Sequence, residues 1–323
     1  MRVVDRRLEG MSQRDRLLAI AVAVMWGANF LAVHATIQHF PPLFAAALRF
    51  AVLAVPTMLF VPWPGVKLRW LIGFGLGFGT GHFALLFVAM HIGMPTGLAS
   101  LVLQSSAPFT VLLGAVLLRE RITPIAASGI GLAVLGMSII GWQRAEHAAL
   151  LPMILTVLAA LSWAGGNLCN RKGFAEPTRG PVNPLHFTLW MSVVPPVPMY
   201  ALSLTFEGPS AGWQALAGLG SPVGLIGLGG LVYIVLIGTI AGSGLWSTLM
   251  SRNPAGVVAP FSLLVPIVGM TLAFLVLGER PTAIEVAAAG IVIIGVLLGS
   301  MSWTRQVRPP ATPSEAEYTP VAR

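Results

Sequence analysis

The sequence predicts an all-α polytopic membrane protein whose ten transmembrane helices form two inverted repeats of five helices. Of the 323 residues, 56% are hydrophobic and only 9% are charged, whereas a soluble domain carries about 25% charged residues. Apolar segments long enough to cross a membrane follow one another along the chain. The sequence of the first half also recurs, in weaker form, in the second half.

Ten apolar segments approach the length of about 20 residues that a helix needs to cross the hydrocarbon core. We place them at 17–36, 43–62, 70–90, 96–118, 122–141, 150–170, 184–204, 224–247, 255–278 and 281–301. The predicted domains are a cytoplasmic head (1–16), a first repeat (17–141), a second repeat (150–301) and a disordered cytoplasmic tail (304–323). The charged head resembles the start of a signal peptide. No A-x-A-like cleavage site follows it, so we expect it to be retained.

The distribution of basic residues predicts the orientation. With the N-terminus inside, sixteen of the nineteen lysines and arginines fall in the head, the tail and the inner loops. Arg144 and Arg280 fall outside, and Arg49 lies within a helix. This bias satisfies the positive-inside rule with both termini cytoplasmic. Because orientation accounts for the net charge of +8, we expect no nucleic-acid partner.

The repeat is clearest where residue 95 is set beside residue 254. "MPTGLASLVLQSSAPFTVLLGAVLLRERIT" and "NPAGVVAPFSLLVPIVGMTLAFLVLGERPT" align without a gap at a constant offset of 159. "MWGANF" at 25–30 and "SWAGGN" at 162–167 give a weaker match. Since each half holds an odd number of helices, the halves enter the membrane in opposite orientations. Inverted repeats are typical of transporters that alternate access to a central site; a duplication kept only for folding would leave the same pattern.

These sequences resemble paired EamA domains of the drug/metabolite transporter superfamily, over essentially all of 12–303. The segments "WGANF", "PPLFAAALRF", "GMPTGLASLVLQSSAPF", "SWAGGN", "VAPFSLLVPIVG" and "GERPT" are most similar to the bacterial exporters of cysteine and O-acetylserine. The resemblance implies a bacterial inner-membrane carrier that exports amino acids or their metabolites, with proton coupling left open. A lipid or lipid-carrier translocase and an exporter of drugs or other metabolites are alternatives within the superfamily.

Polar residues in the fourth and ninth helices suggest a transport site. Ser100, Gln104 and Pro108 are four residues apart and share one helix face. Pro108 should kink the helix near Gln104 and free a carbonyl. Two prolines flank Ser262 in the mirror helix, and broken helices at matched positions point to a binding site. Packing against a neighbouring helix is the alternative for the polar face.

Two tryptophans lie near mid-helix rather than at the membrane interface, where tryptophan is usual. Trp26 and Trp163 each have an asparagine about one turn away, Asn29 and Asn167. The aromatic faces could take a substrate ammonium and the amides a carboxylate. Helix packing with the indole N–H groups satisfied internally explains the same pattern.

Three further residues complete the candidate site. Arg49, the one charge inside a span, could either snorkel to the outer face or bind a substrate carboxylate. Trp190 occupies roughly the mirrored depth in helix seven. His82 could carry a proton or act as a hydrogen-bonded packing residue. The glycine stripe of helix three, Gly73 to Gly81 at intervals of four, predicts close helix contact.

The acidic residues predict little chemistry within the membrane. Glu120 and Glu279, each followed by arginine, are expected to cap and orient the following helix. No Asp or Glu lies in the middle of a span, so any coupling ion would need another group. No enzyme motif is present, and we expect no cofactor, metal or catalytic residue. The expected partners are a small zwitterionic metabolite, membrane lipid and, as an open alternative, protons. Monomer and homodimer also remain open.

Overall fold

The computed structural model describes residues 11–120, 122–145, 150–253 and 255–301, so the predicted tail and most of the head lie outside the described residues. Within these residues, the apolar helices follow the predicted order. They are α1 (Gln13–Ile37), α2 (Pro42–Phe60), α3 (Leu68–His91), α4 (Thr96–Leu118), α5 (Pro124–Ala145), α6 (Leu150–Ala175), α7 (Pro184–Phe206), α8 (Pro222–Arg252), α9 (Ala259–Leu277) and α10 (Ala283–Met301). Each overlaps one predicted segment.

The membrane-spanning character of these helices follows from length and composition. Eight are long and apolar enough to cross a membrane, and α5 and α10 contribute the shorter apolar helices Pro124–Ile140 and Ala283–Gly299. The predicted all-α polytopic class is therefore confirmed. Two departures are local: α7 is interrupted between Met191 and Pro196, and an unpredicted short helix, Ala211–Ala217, lies between α7 and α8. The first departure has a cause in sequence, because consecutive prolines interrupt backbone hydrogen bonding.

Irregular segments occupy matched positions in the two halves. The helix α3 is π-helical over Gly75–His82, and α8 is π-helical over Tyr233–Ala241. The helix α4 turns 3₁₀ over Leu103–Ser105, and the start of α9 is 3₁₀ over Ala259–Leu263. The 3₁₀ segment of α4 falls where Pro108 is predicted to kink the helix, since proline four residues later cannot donate to the Gln104 carbonyl. Segments of this kind are frequent at functional sites.

Close glycine contacts hold α3 against α6. A Cβ atom on Gly77 would lie 2.6 Å from the backbone nitrogen of Gly166, and the Ser162 hydroxyl donates to the Gly77 carbonyl at 2.8 Å. Gly73 lies against the side chain of Cys169. The packing role predicted for the glycine stripe is therefore confirmed.

One end of the bundle, which we call the Glu279 end, carries the loops α1–α2, α3–α4, α7–α8 and α9–α10. There the Glu207 carboxylate accepts hydrogen bonds from the backbone N–H groups of Leu43 and Phe44, at 2.6 and 3.0 Å. The His39 Nε2 atom lies 2.7 Å from the Ala215 carbonyl oxygen, which ties the short helix to the α1–α2 loop. These contacts join loops of the two halves at the Glu279 end.

The expectation that Glu279 caps the following helix is wrong. Its carboxylate accepts from the backbone N–H groups of Thr96 and Gly97, at the start of α4. The N-terminus of α10 is instead capped from within, by Glu285 accepting from the Thr282 N–H at 2.9 Å. The fold brings the end of α9 beside the first N–H groups of α4, which have no partner within their own helix. These groups therefore bind the Glu279 carboxylate in place of the N–H groups of α10.

The α2–α3 and α6–α7 loops lie at the opposite end of the bundle, which we call the Glu120 end. An ion-paired cluster links these two loops. Lys67 and Arg69 both bond to the Glu176 carboxylate, at 2.7 and 2.8 Å. Hydrogen bonds from Lys67, Arg69 and Trp70 lower the pKa of Glu176 to about 2. The carboxylate therefore stays charged at neutral pH, and this link between loops is not a pH switch in that range.

Candidate functional site

A cavity of about 730 Å³ lies among the helices, within the range of small-molecule sites. Nine of the ten predicted site residues line it: Trp26, Asn29, Arg49, His82, Ser100, Gln104, Trp163, Asn167 and Ser262. They come from both halves of the chain. The cavity also reaches Glu120 and Arg171 near the Glu120 end.

Arg49 does not snorkel to a membrane face, because the residue is only 5% exposed. Its guanidinium carbon lies 3.9 Å from the centroid of the Phe83 ring and 5.0 Å from that of Phe50. Its Nη2 donates to the Thr239 hydroxyl at 3.0 Å, whereas Nε and Nη1 are buried without a hydrogen-bond partner among the described residues. Two donors of a buried cation are thus left for another acceptor.

Three site residues meet at Gly238 and Thr239, in the π-helical part of α8. Trp26 Nε1 donates to the Gly238 carbonyl at 2.9 Å, and Arg49 bonds to Thr239. Any side chain at Gly238 would collide with Asn29 Oδ1. This oxygen is buried and also has no hydrogen-bond partner in the described part of the chain. A pair of unused donors and an unused acceptor therefore flank the same stretch of α8.

His82 lies in an aromatic cluster at the wall of the cavity and is 3% exposed. Its ring stacks on Phe78 with centroids 5.5 Å apart and lies 4.9 Å from the Trp163 ring. Its Nδ1 has no hydrogen-bond partner within the described ranges. The packing role and a role at the cavity coexist in this geometry.

The polar residues of α4, α6 and α9 both line the cavity and join helices. Gln104 Nε2 donates to the Ser262 carbonyl at 3.0 Å, which connects the two 3₁₀ segments. Asn167 Nδ2 donates to the Thr110 hydroxyl at 3.2 Å. Ser100 donates to the Gly97 carbonyl within its own helix, at 2.6 Å. Cavity and packing, which the sequence offers as alternatives, thus apply to the same side chains.

Trp190 is absent from the residues that line this cavity. Its indole N–H points to the carbonyls of Val61 and Pro62, at 3.1 and 3.0 Å, and its ring lies 5.0 Å from that of Trp63. The side chain packs against the end of α2 at the start of the α2–α3 loop. Its predicted mirrored relation to Arg49 therefore does not bring it into the same site.

Sequence reasoning missed two features of the cavity. Thr239 carries no motif, and only its place beside a glycine within an apolar span distinguishes it. Glu120 and Arg171 form an ion pair between α4 and α6 at the mouth of the cavity, although the sequence places them 51 residues apart. Pairing across such a distance leaves no local pattern to detect.

We expect the cavity face of α4 and α6 to be wet. Cysteine at Gln104 or Asn167, in a Cys169→Ala background, should react with a hydrophilic thiol reagent in membranes because both positions line the cavity. Cysteine at Val33, which is fully buried, is the control and should stay unreacted. Complete protection at both test positions would mean that they serve packing alone.

The long apolar helices define a multi-pass membrane protein, and a deep cavity between them is typical of a transporter. The chain belongs to the EamA-like transporter family, whose family model matches residues 16–142 and 150–301. Over 302 residues the chain is 37% identical to a protein of Escherichia coli K12 named "Probable amino-acid metabolite efflux pump", covering 92% of this chain and 99% of that one.

A second relative and a solved structure agree with this assignment. A Salmonella typhimurium LT2 protein with the same printed name is 39% identical over 290 residues, covering 89% of this chain and 95% of its own. A crystal structure 18% identical in sequence superposes with a TM-score of 0.57, covering 92% of this chain and all of its own. At that identity the structure supports the fold alone.

Proposed function

We propose that this chain is a secondary transporter of the bacterial inner membrane that exports amino acids or their metabolites by alternating access. The observation that carries the proposal is the buried Arg49 guanidinium: the residue lines the cavity, and its Nε and Nη1 have no hydrogen-bond partner among the described residues. A lone charge inside a membrane span costs at least about 2.5–3.5 kcal/mol on insertion scales. A substrate carboxylate would offset that cost through charge-assisted hydrogen bonds. The printed names of the two bacterial relatives support the same substrate class.

The ammonium group of a zwitterionic substrate also has a suitable partner near Arg49. Asn29 Oδ1, which touches the same stretch of α8 as Arg49 does, can accept a hydrogen bond from a substrate ammonium. The rings of Trp26 and Trp246, with centroids 5.2 Å apart, offer faces for cation–π contact. We propose that a small zwitterion binds across Arg49 and Asn29, with its side chain toward the aromatic walls.

In this proposal, two inverted five-helix repeats allow the cavity to open alternately to the two sides of the membrane. This arrangement is supported by the matched π-helical segments of α3 and α8 and the matched 3₁₀ segments of α4 and α9. The charge bias of the sequence favours the Glu120 end as the cytoplasmic one. The cavity reaches that end, and its lining among the described residues includes none from the loops of the other end. This geometry suits an inward-facing state that loads substrate from the cytoplasm.

Two modes of energy coupling are compatible with the cavity: proton coupling and uncoupled export. Glu120 is the cavity-lining carboxylate within the described residues and is paired with Arg171, so it does not resemble a free proton carrier. His82, with Nδ1 unused, is the candidate for proton coupling. Facilitated export down a concentration gradient requires neither group.

The test is transport into proteoliposomes with a panel of radiolabelled amino acids and their metabolites, with and without a pH gradient. Uptake of carboxylate-bearing zwitterions above protein-free liposomes is expected, and amides of the same compounds should not compete. A stimulation by the gradient that is lost in His82→Gln would support proton coupling. Failure of the whole panel, together with flipping of a fluorescent phospholipid in the same vesicles, would favour a lipid translocase.

A further inference from the structure

Glu279 and Glu120 occupy equivalent positions in the two repeats, at the offset of 159. Neither residue contributes to the Arg49 site. They lie at the ends of α9 and α4, at opposite ends of the bundle. The structure gives the two carboxylates different partners, and this difference suggests what they do.

At the Glu279 end the carboxylate joins the second half to the first. Glu279 Oε1 accepts from the Thr96 N–H at 2.7 Å and Oε2 accepts from the Gly97 N–H at 3.0 Å. A two-oxygen contact with the first N–H groups of a helix is favoured by both hydrogen bonding and the helix dipole. A Cβ atom on Gly97 would lie 3.0 Å from the Met270 Cα atom, so α4 and α9 are in close contact here. This end is closed.

At the Glu120 end the equivalent contact would be from Glu120 to the backbone N–H groups of Ala255 and Gly256, in the helical turn that leads into α9. Glu120 is instead the acceptor of an ion pair with Arg171 of α6. Its carboxylate packs over Gly114 and lines the mouth of the cavity. This end is open, and its carboxylate is held by a cation.

We infer that Glu279 and Glu120 are alternating gate residues, each closing its own end of the transporter by capping the first N–H groups of the opposite repeat. This inference rests on the proposed alternating-access function. In the opposite state Glu279 releases α4, and Glu120 leaves Arg171 to cap Ala255 and Gly256. Arg171 keeps Glu120 charge-paired while the Glu120 end is open.

Each cap stabilises the state that is closed at its own end, so the two caps favour opposite states of the transporter. Weakening the cap at Glu279 raises the fraction of molecules open at the Glu279 end. Glu120→Gln weakens the cap that Glu120 forms and so favours opening at the Glu120 end. It also removes the ion pair with Arg171, but those side chains are 31% and 37% exposed, and an exposed pair contributes little. Changes of the same chemistry at equivalent positions therefore act with opposite sign, which two independent structural caps would not do.

The experiment measures spin-label distances by double electron–electron resonance in Cys169→Ala protein, reconstituted without any substrate. One label pair, at Ile92 and Val276, reports the Glu279 end, and the other, at Leu117 and Met250, reports the Glu120 end. All four side chains are exposed. Glu279→Gln should lengthen the first distance and shorten the second in a larger fraction of molecules. The ratio of the two states should change about tenfold, as expected for weakening a charge-assisted hydrogen bond.

Adding Glu120→Gln to the Glu279→Gln protein should return the ratio toward that of the parent. Glu207→Gln is the matched control, because Glu207 also accepts from two N–H groups at the Glu279 end but is not part of the repeated pair. By itself it should leave the ratio of the two states at that of the parent, because Glu207 is not one of the two alternating caps. Thr96→Pro is a second route, since it removes one donor at a helix start where proline is tolerated. It should shift the ratio in the direction of Glu279→Gln, by less.

An unchanged distance distribution in both Glu279→Gln and Thr96→Pro would overturn the inference. So would a Glu120→Gln change that pushes the Glu279→Gln protein further in the same direction. Because the distances are measured without substrate, a failed transport panel would count against the proposed export function and leave the gate result standing.

Discussion

Replacing Arg49 with lysine is expected to abolish most export of carboxylate-bearing substrates while leaving folding intact. Lysine keeps the charge but lacks the planar pair of donors that a carboxylate can bind bidentately. It also loses the stacking of the guanidinium on Phe83. A loss of about 1.5–3 kcal/mol, the range for hydrogen bonds to a charged group, corresponds to a roughly 10–100-fold fall in transport efficiency.

The measurement is initial uptake in proteoliposomes, with thermal stability and reconstituted amount matched to the parent. Arg69→Lys is the control. Arg69 also bonds to a carboxylate, that of Glu176, but at the exposed loop of the Glu120 end, so uptake should stay at the parental rate. Parental uptake by the Arg49→Lys protein would exclude a substrate role and leave Arg49 as a structural cation.

Replacing Gly77 with alanine is expected to disrupt the packing of α3 on α6. The added Cβ would lie 2.6 Å from Gly166 N, 2.8 Å from Gly166 Cα and 3.0 Å from the Ser162 carbonyl oxygen. These are backbone atoms, which cannot rotate away, so the helices must separate. Overpacking of this kind costs about 1–3 kcal/mol, and separation also stretches the bond from Ser162 to the Gly77 carbonyl.

Thermal unfolding in detergent and the monodisperse fraction on size exclusion measure this effect. Gly165→Ala is the matched control, because a Cβ at Gly165 meets nothing within 4 Å. Alanine there should be neutral or slightly stabilising, by up to about 1 kcal/mol, since it favours the helix. Equal stability of the two variants would show that the α3–α6 contact is looser than the structure indicates.

Much of the fold follows from local composition. In the described residues, apolar length located the eight helices that are long enough to cross a membrane and the two shorter apolar ones to within a few residues, because a membrane-spanning helix satisfies its backbone internally and needs little from its neighbours. The disturbance at Gln104 could be predicted from Pro108, because a missing N–H acts within one turn. Apolar length does not predict the interruption of α7, because it spans only a few residues within an apolar segment. Nor does it predict the helix Ala211–Ala217, which is too short to stand out as an apolar segment.

By itself, the sequence determined the membrane class, the helix positions, the repeat offset and nine residues that line the cavity. Each of these depends on composition, spacing or a proline, which act over one or two turns. Only the tertiary structure decided that Arg49 is buried against Phe83 rather than snorkelling, that Trp190 packs at the end of α2, and that Glu279 caps α4 rather than α10. The partners of these side chains come from distant segments, as with Glu279 and Gly97, 182 residues apart. A polar group in an apolar environment takes the nearest unsatisfied partner, and which partner is nearest is set by helix packing.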